Sequence, residues 1–266
     1  MILPAESDGT HCVIGPSGGK IIGYVGESPL YKQMVTVEDN VDEAPTLQVN
    51  NKSVNINKEG EYKVYYRATD AAGNMSSTYT LIYVVKSKEY SRDTLMELIE
   101  EKADALGITK EMTKVEQVRK IYAYVNSKST IAFTNESNIP DINRKNWEID
   151  WVEEAIRGLD SGEGDCYTYY SLSKAFFEYF GIENKGIQRS ENYSGAAEDG
   201  THFWSVVKVE GGWYYYDSTR LGSTFSDGTT NACLITEKKL KTYETENFYA
   251  MTKSSGFPTI SSKELD

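Results

Sequence analysis

Histidine and cysteine are both scarce in this chain: 266 residues contain 2 His and 3 Cys. Three cysteines, Cys12, Cys166 and Cys233, cannot all pair, and none lies in a CxxC spacing, so neither a disulfide framework nor a cysteine metal site is expected. No apolar run approaches the roughly 20 residues a membrane-spanning helix needs, so no transmembrane segment is expected. The first residues, Met1-Ile2-Leu3-Pro4, lack the basic start and apolar core of a signal peptide. Cations are short as well: 28 Lys and Arg face 40 Asp and Glu, a net charge of −12. Nucleic acid and anionic membrane surfaces both require clustered Lys and Arg, so no nucleic-acid partner is expected.

What remains describes a folded globular protein, with 39% apolar and 26% charged residues. The length suffices for two modest domains with cores of their own, or for one large one. Residues 1–88 read as strands. Tyr62, Val64, Tyr66 and Ala68 alternate with Lys63, Tyr65 and Arg67, the period of a half-buried strand. A turn at 70–74 and a β-rich run from Thr78 to Val85 complete a hairpin. Short runs at 20–24 and 34–37, bounded by Gly, Pro and Asn, add further strands and suggest a sandwich. His11-Cys12 reads as a loose or edge segment. Asp39, Asn40, Asp42 and Glu43 read as a solvated acidic turn, since their spacing does not fit a dedicated Ca2+ loop.

Past the polar junction at 86–89 the period changes to that of helices. Leu95, Leu98, Ile99, Ala103 and Leu106 share a face that Gly107 ends. Thr113 and Glu116 form a capping box ahead of the stripe Val115, Val118, Ile121, Tyr122 and Val125. Residues 127–145 read as a long surface loop. Trp147, Trp151 and Ala155 mark a third helix, with the tryptophans as core.

The chemistry gathers around Gly162-Glu163-Gly164-Asp165-Cys166. The two glycines break the preceding element. Cys166 then opens a helix whose face is Tyr169, Tyr170, Ser173, Phe176, Phe177 and Phe180, with Gly181 at its end. A thiol in the first turn of a helix feels the positive end of the helix dipole, which favours the thiolate. Asp160, Glu163 and Asp165 oppose this unless they point away or are outweighed. His202 is the single His after residue 11 and lies in a strand pattern at 201–209. Asp217 closes a second strand at 213–217, after a turn at 210–212. An imidazole can take the thiol's proton and later return one to a leaving group. A carboxylate on the far ring nitrogen fixes the tautomer. The hairpin register leaves Asp217 short of His202, so a bulge or an asymmetric turn is expected between them. Alone, Cys166 would read as a buried small apolar residue, and Cys233 reads that way, in a short strand at 232–235. A Cys-His-Asp metal site lacks a fourth ligand. Later residues read as a loop at 221–231, a turn or two of helix at 237–242, and an apolar run at 248–251, a region expected to complete the sheet and wall the cleft.

Two resemblances follow from these residues. Gly60 to Asn74, with the stretch Val37 to Thr46, resembles the closing hairpin of bacterial immunoglobulin-like surface modules over about residues 15–86. Gly164-x-Cys166, His202-x-Trp204 and Trp213-x-x-x-Asp217-x-Thr219 resemble the core of the transglutaminase-like superfamily over about residues 110–220, with Ser218 where Pro is usual. Together they imply a multidomain protein. Residues 1–88 would form an all-β immunoglobulin-like sandwich and residues 89–266 an α+β, papain-like catalytic domain. Cys166 would be the nucleophile, His202 the base and Asp217 the orienting carboxylate, with no cofactor and no metal. The expected reaction is acyl transfer at an amide of a protein or cell-wall peptide, as a peptidase or amidase. The alternatives are a cross-linking transglutaminase and a non-catalytic surface binding module. An extracellular or cell-surface location is implied, with any signal peptide outside these residues. An upstream oxyanion-donor indole has no clear counterpart, Trp151 being the nearest.

Overall fold

The computed structural model describes residues 12–15, 20–39, 41–134, 138, 147–190 and 201–265. His11 and most of the stretch 135–146 lie outside them. Contacts divide the chain into Met1–Ser91 and Arg92–Asp266. Each unit has its own apolar core. Among the described residues no helix is long and apolar enough to cross a membrane.

The first unit is rich in strands: β1 (Cys12–Gly15), β2 (Lys20–Tyr24), β3 (Thr36–Asp39), β4 (Thr46–Asn50), β5 (Gly60–Thr69) and β6 (Tyr79–Lys86). Four of them make one sheet in the order β2-β6-β5-β4, and β1 pairs with β3. The alternation read in β5 sorts its residues: Val64, Tyr66 and Ala68 are buried beside Leu81, Tyr83 and Val85 of β6. Gly23 on β2 has a packing reason, since a Cβ there would lie 1.7 Å from Tyr83 Oη. Two carboxylates of the acidic turn accept from backbone N–H groups. Asp39 Oδ1 accepts from the N–H groups of Val41 and Asp42, and Asp42 accepts from Ala44 and Ala71. The third strand lies two residues later than the sequence pattern suggests, because a 3-10 turn occupies Tyr31–Gln33. The immunoglobulin-like assignment rests on the sequence resemblance alone.

The second unit mixes helices with one sheet. Its helices are α1 (Arg92–Ala105), α2 (Lys114–Val125), α3 (Trp147–Ser161), α4 (Cys166–Tyr179) and the short α5 (Glu237–Leu240). The capping box at Thr113 forms in both directions: the Thr113 hydroxyl accepts from Glu116 N–H, and Glu116 accepts from Thr113 N–H at 2.8 Å. Strands β9 (Asn184–Gln188), β10 (Phe203–Val209), β11 (Gly212–Asp217) and β12 (Ala232–Ile235) form an antiparallel sheet in the order β12-β11-β10-β9. Part of the expected loop is a strand instead. β7 (Ala132–Phe133) runs parallel to β8 (Glu163–Gly164) just ahead of Cys166.

α4 is the hub of this unit. It packs on α1, α2 and α3 and against β10. Strand alternation then divides the sheet's two faces. Phe203, Val207, Val209, Tyr214 and Tyr216 join the helices, with Phe176 and Phe177, in one core. Trp204, Val206 and Tyr215 face the other way and pack with Phe225, Leu240 and Tyr243. Glu210 and Gly211, both at positive φ (49° and 77°), make the two-residue turn between β10 and β11, the geometry that matches strand twist.

Candidate active site

Cys166 sits where a strand is forced to become a helix. Gly164 ends β8 with φ 158°, and a Cβ there would lie 2.0 Å from Thr168 Oγ1. The next residue, Asp165, is the N-cap, and its carboxylate accepts from Tyr167 N–H at 2.9 Å. Its charge is thereby turned onto the helix backbone, while Asp160 and Glu163 are exposed to solvent. Cys166 follows as the first helical residue and is 9% exposed. Its Sγ donates toward the Thr201 carbonyl at 3.7 Å, so the sulfur lies against the residue just before His202.

His202 and Asp217 meet in a buried pocket, each 3% exposed. His202 Nε2 stands 2.7 Å from Asp217 Oδ2. The expected bulge between their strands is absent. β10 and β11 pair in regular register, Ser205 opposite Tyr216 and Val209 opposite Gly212. That register puts Asp217 diagonal to His202 on one face, a span that an imidazole and a carboxylate bridge with their own length. The irregularity of β11 falls on its other side, against β12, between Tyr215 and Asp217. Asp217 Oδ1 accepts from Thr219 N–H at 2.9 Å, which fixes the carboxylate plane. Because an ionised carboxylate accepts, Nε2 carries the proton of the neutral ring and Nδ1 keeps the lone pair.

Aromatic rings pack on the imidazole. Trp204 stacks on it at 5.5 Å between centroids, Phe248 lies at 4.6 Å, and Tyr249 meets it edge-on at 6.0 Å. Tyr249 also donates its hydroxyl to Asp217 Oδ2 at 2.9 Å. Burial, reinforced by the charge of Asp217, pushes this phenol well above its ordinary value, so it stays a neutral donor. Arg189, just past β9, ties this segment down: its Nε donates to the Phe248 carbonyl at 2.9 Å and its guanidinium covers the Phe248 ring at 4.8 Å. Ser190 N–H donates to the Ala250 carbonyl at 3.0 Å. Read from the sequence, 248–251 is only an apolar run in a region expected to wall the cleft, and the hydrogen bond of Tyr249 goes unseen.

Four further residues complete the surroundings. Ser218, in the position where Pro is usual, accepts or donates to Ser173 Oγ at 2.8 Å and donates to the Tyr169 carbonyl at 3.3 Å, joining the end of β11 to α4. Glu154 on α3 is fully buried and takes the Thr168 hydroxyl and the Asn138 backbone N–H, the latter at 3.1 Å. Burial raises its carboxyl above the ordinary range against the pull of those donors. Its place three residues after Trp151, on the apolar stripe of α3, was the available signal. Trp151 itself is core, 5% exposed, with Lys174 Nζ 4.8 Å from its ring centroid. Cys233 is half-buried on β12, and burial pushes its thiol up to about 12.

Comparison with known proteins bears on this arrangement. Residues 102–218 match the model of the transglutaminase-like superfamily. Cys166, His202 and Asp217 all fall inside that span, and Tyr249 falls outside it. No curated protein matches the chain. Among solved structures, one is a TGase with 16% identity and a TM-score of 0.32, covering 50% of this chain and 33% of its own. The chain thus spans about a third of that protein's length. A second is "a Putative Cysteine Protease from Cytophaga hutchinsonii", with 14% identity and a TM-score of 0.34, covering 73% of this chain and 69% of its own. By its sequence match, the segment that carries the helix, the strand pair and the buried His–Asp contact is similar to the transglutaminase-like superfamily.

Proposed function

We propose that this protein is a cysteine acyl-transfer enzyme acting on amide bonds of a protein or peptide, with Cys166 as nucleophile, His202 as acid and base, and Asp217 as the orienting carboxylate. The observation that carries this reading is the buried 2.7 Å contact between His202 Nε2 and Asp217 Oδ2, with the Cys166 sulfur held against the neighbouring Thr201 carbonyl. With Asp217 on Nε2, the nitrogen left to take the thiol proton is Nδ1.

The steps balance as follows. The Cys166 thiolate adds to the amide carbonyl carbon. The C–N bond then breaks, and the amine leaves with the proton held by the imidazolium. A thioester to Cys166 remains. Water adds next, giving a proton to Nδ1. The acid departs and the thiol is restored. The oxyanion of each tetrahedral stage is received at the start of α4, where Cys166 N–H belongs to the first turn. Asp165 has taken the Tyr167 N–H from that group of donors.

Hydrolysis is the outcome we assign, as a peptidase or amidase, on the sequence resemblance. The resemblance of residues 15–86 to bacterial immunoglobulin-like modules supports a secreted or surface-attached protein in which residues 1–88 form an immunoglobulin-like domain that spaces or adheres, and residues 89–266 the catalytic domain. Cell-wall peptide is a substrate class consistent with that setting.

The test is incubation with a peptide library and a labelled primary amine, read by mass spectrometry. Cleaved or deamidated peptides are expected, and all products should vanish in Cys166→Ala. Amine incorporation in place of hydrolysis would reassign the enzyme as a cross-linker. Products that survive in Cys166→Ala, or none from the wild type, would defeat the reading.

A further inference from the structure

We propose that Tyr249 is a positioning residue that tempers the His202 imidazolium by sharing its carboxylate oxygen. This rests on the acyl-transfer reading above and adds to it a control on proton transfer. Two donors converge on Asp217 Oδ2, His202 Nε2 at 2.7 Å and Tyr249 Oη at 2.9 Å. The other oxygen is occupied by the Thr219 N–H. A carboxylate oxygen that accepts a second hydrogen bond has less charge to offer the first donor.

The consequence is chemical. The imidazolium must be stable enough to keep Cys166 as a thiolate, yet acidic enough to protonate the leaving amine. An unshared carboxylate in a site this buried would favour the first task at the expense of the second. The hydroxyl of Tyr249 draws charge from Oδ2 and moves the balance back. Its position is held from outside the reacting trio by Arg189 on Phe248, by the Ser190–Ala250 backbone bond and by the edge-on contact with Trp204 at 5.3 Å.

Among the described residues, the titratable and charged groups facing the pair are few. Cys166 comes from α4 and Tyr122 from α2. Tyr243 packs on Tyr249 at 5.4 Å, and Arg189 lies behind Phe248. Burial raises Tyr122 as it does Tyr249, so both stay uncharged across the working range. Arg189 is a fixed cation.

The experiment measures the rate of Cys166 alkylation by iodoacetamide against pH, with labelling at the other cysteines subtracted using Cys166→Ala. It is run on wild type, Tyr249→Phe, Asp217→Asn and the double variant, with amide turnover measured in parallel. Tyr249→Phe keeps the ring and its packing and removes one donor. The imidazolium is then stabilised more, so the thiolate forms at lower pH: the midpoint should fall by roughly half to one unit. Turnover at neutral pH should drop several-fold with KM little changed. In the Asp217→Asn background the Phe substitution should leave the midpoint where it is. A mere loosening of the site would weaken the His–Asp contact and move the midpoint up. An upward or absent shift, or a shift that persists without the Asp217 charge, overturns the proposal. A wild-type thiol that alkylates near the ordinary value of about 8.5 would instead defeat the acyl-transfer reading itself.

Discussion

At the residue scale the site depends on how each buried polar group is answered. Asp217 has three donors, and His202 has a carboxylate on one nitrogen and aromatic rings around it. Glu154 is fully buried and accepts from Thr168 and Asn138. Its folded carboxyl is raised by burial, so protonation favours the folded state. The stability this gives is fully present below the unfolded value near 4.5 and is lost as pH rises through the folded value. Glu154→Gln removes the titration. Wild type should therefore lose stability relative to the variant as pH is raised from 4 to 8, read as the difference in thermal midpoints. A difference that stays flat with pH would contradict the burial argument.

The residues proposed to react could be singled out in the sequence because chemistry restricts their types. A cysteine opening a helix, one His in the second unit and an Asp ending the next strand leave few combinations. Tyr249 was not legible for the opposite reason: it is one of 20 tyrosines and lies 32 residues from its partner. Nothing local distinguishes a phenol that closes a hydrogen bond from one that only fills space.

At the element scale the helix start and the hairpin do most of the positioning. The helix of Cys166 was readable from its aromatic face and its flanking glycines. The hairpin was readable as well, but the manner in which His202 meets Asp217 was not. A sequence register counts directly opposed residues, and this pair is joined along the diagonal of a regular ladder. The short strand β7 was hidden too, since two residues give no period to detect.

Gly164 links these elements. Any side chain there meets Thr168, which is itself tied to Glu154, and must also accept φ 158°. Gly164→Ala should thus destabilise by about 2–3 kcal/mol and cut Cys166 alkylation at neutral pH. Denaturant unfolding and the alkylation rate check both. By contrast, Thr113→Ala, which opens the capping box of α2, should cost about 1 kcal/mol with the alkylation profile unchanged.

At the scale of the whole molecule, the two contact units have cores drawn from separate residues. Residues 92–266 should fold and keep activity without the strand-rich unit. A piece ending at 218, where the family match stops, should not. It would lack β12, the Phe225–Tyr243 core and the aromatic cover on His202. Circular dichroism and alkylation of the two fragments test this. Active material from 92–218 would show that the later residues are dispensable.

If the proposed activity holds, the tie from Arg189 and Ser190 to Phe248 and Ala250 bears on how the site diversifies. In the proposed mechanism Cys166, His202 and Asp217 come from one stretch of chain, while Tyr249 arrives from another. Exchanging the tail between relatives could therefore retune the working pH of the reaction and leave the bond-making trio untouched.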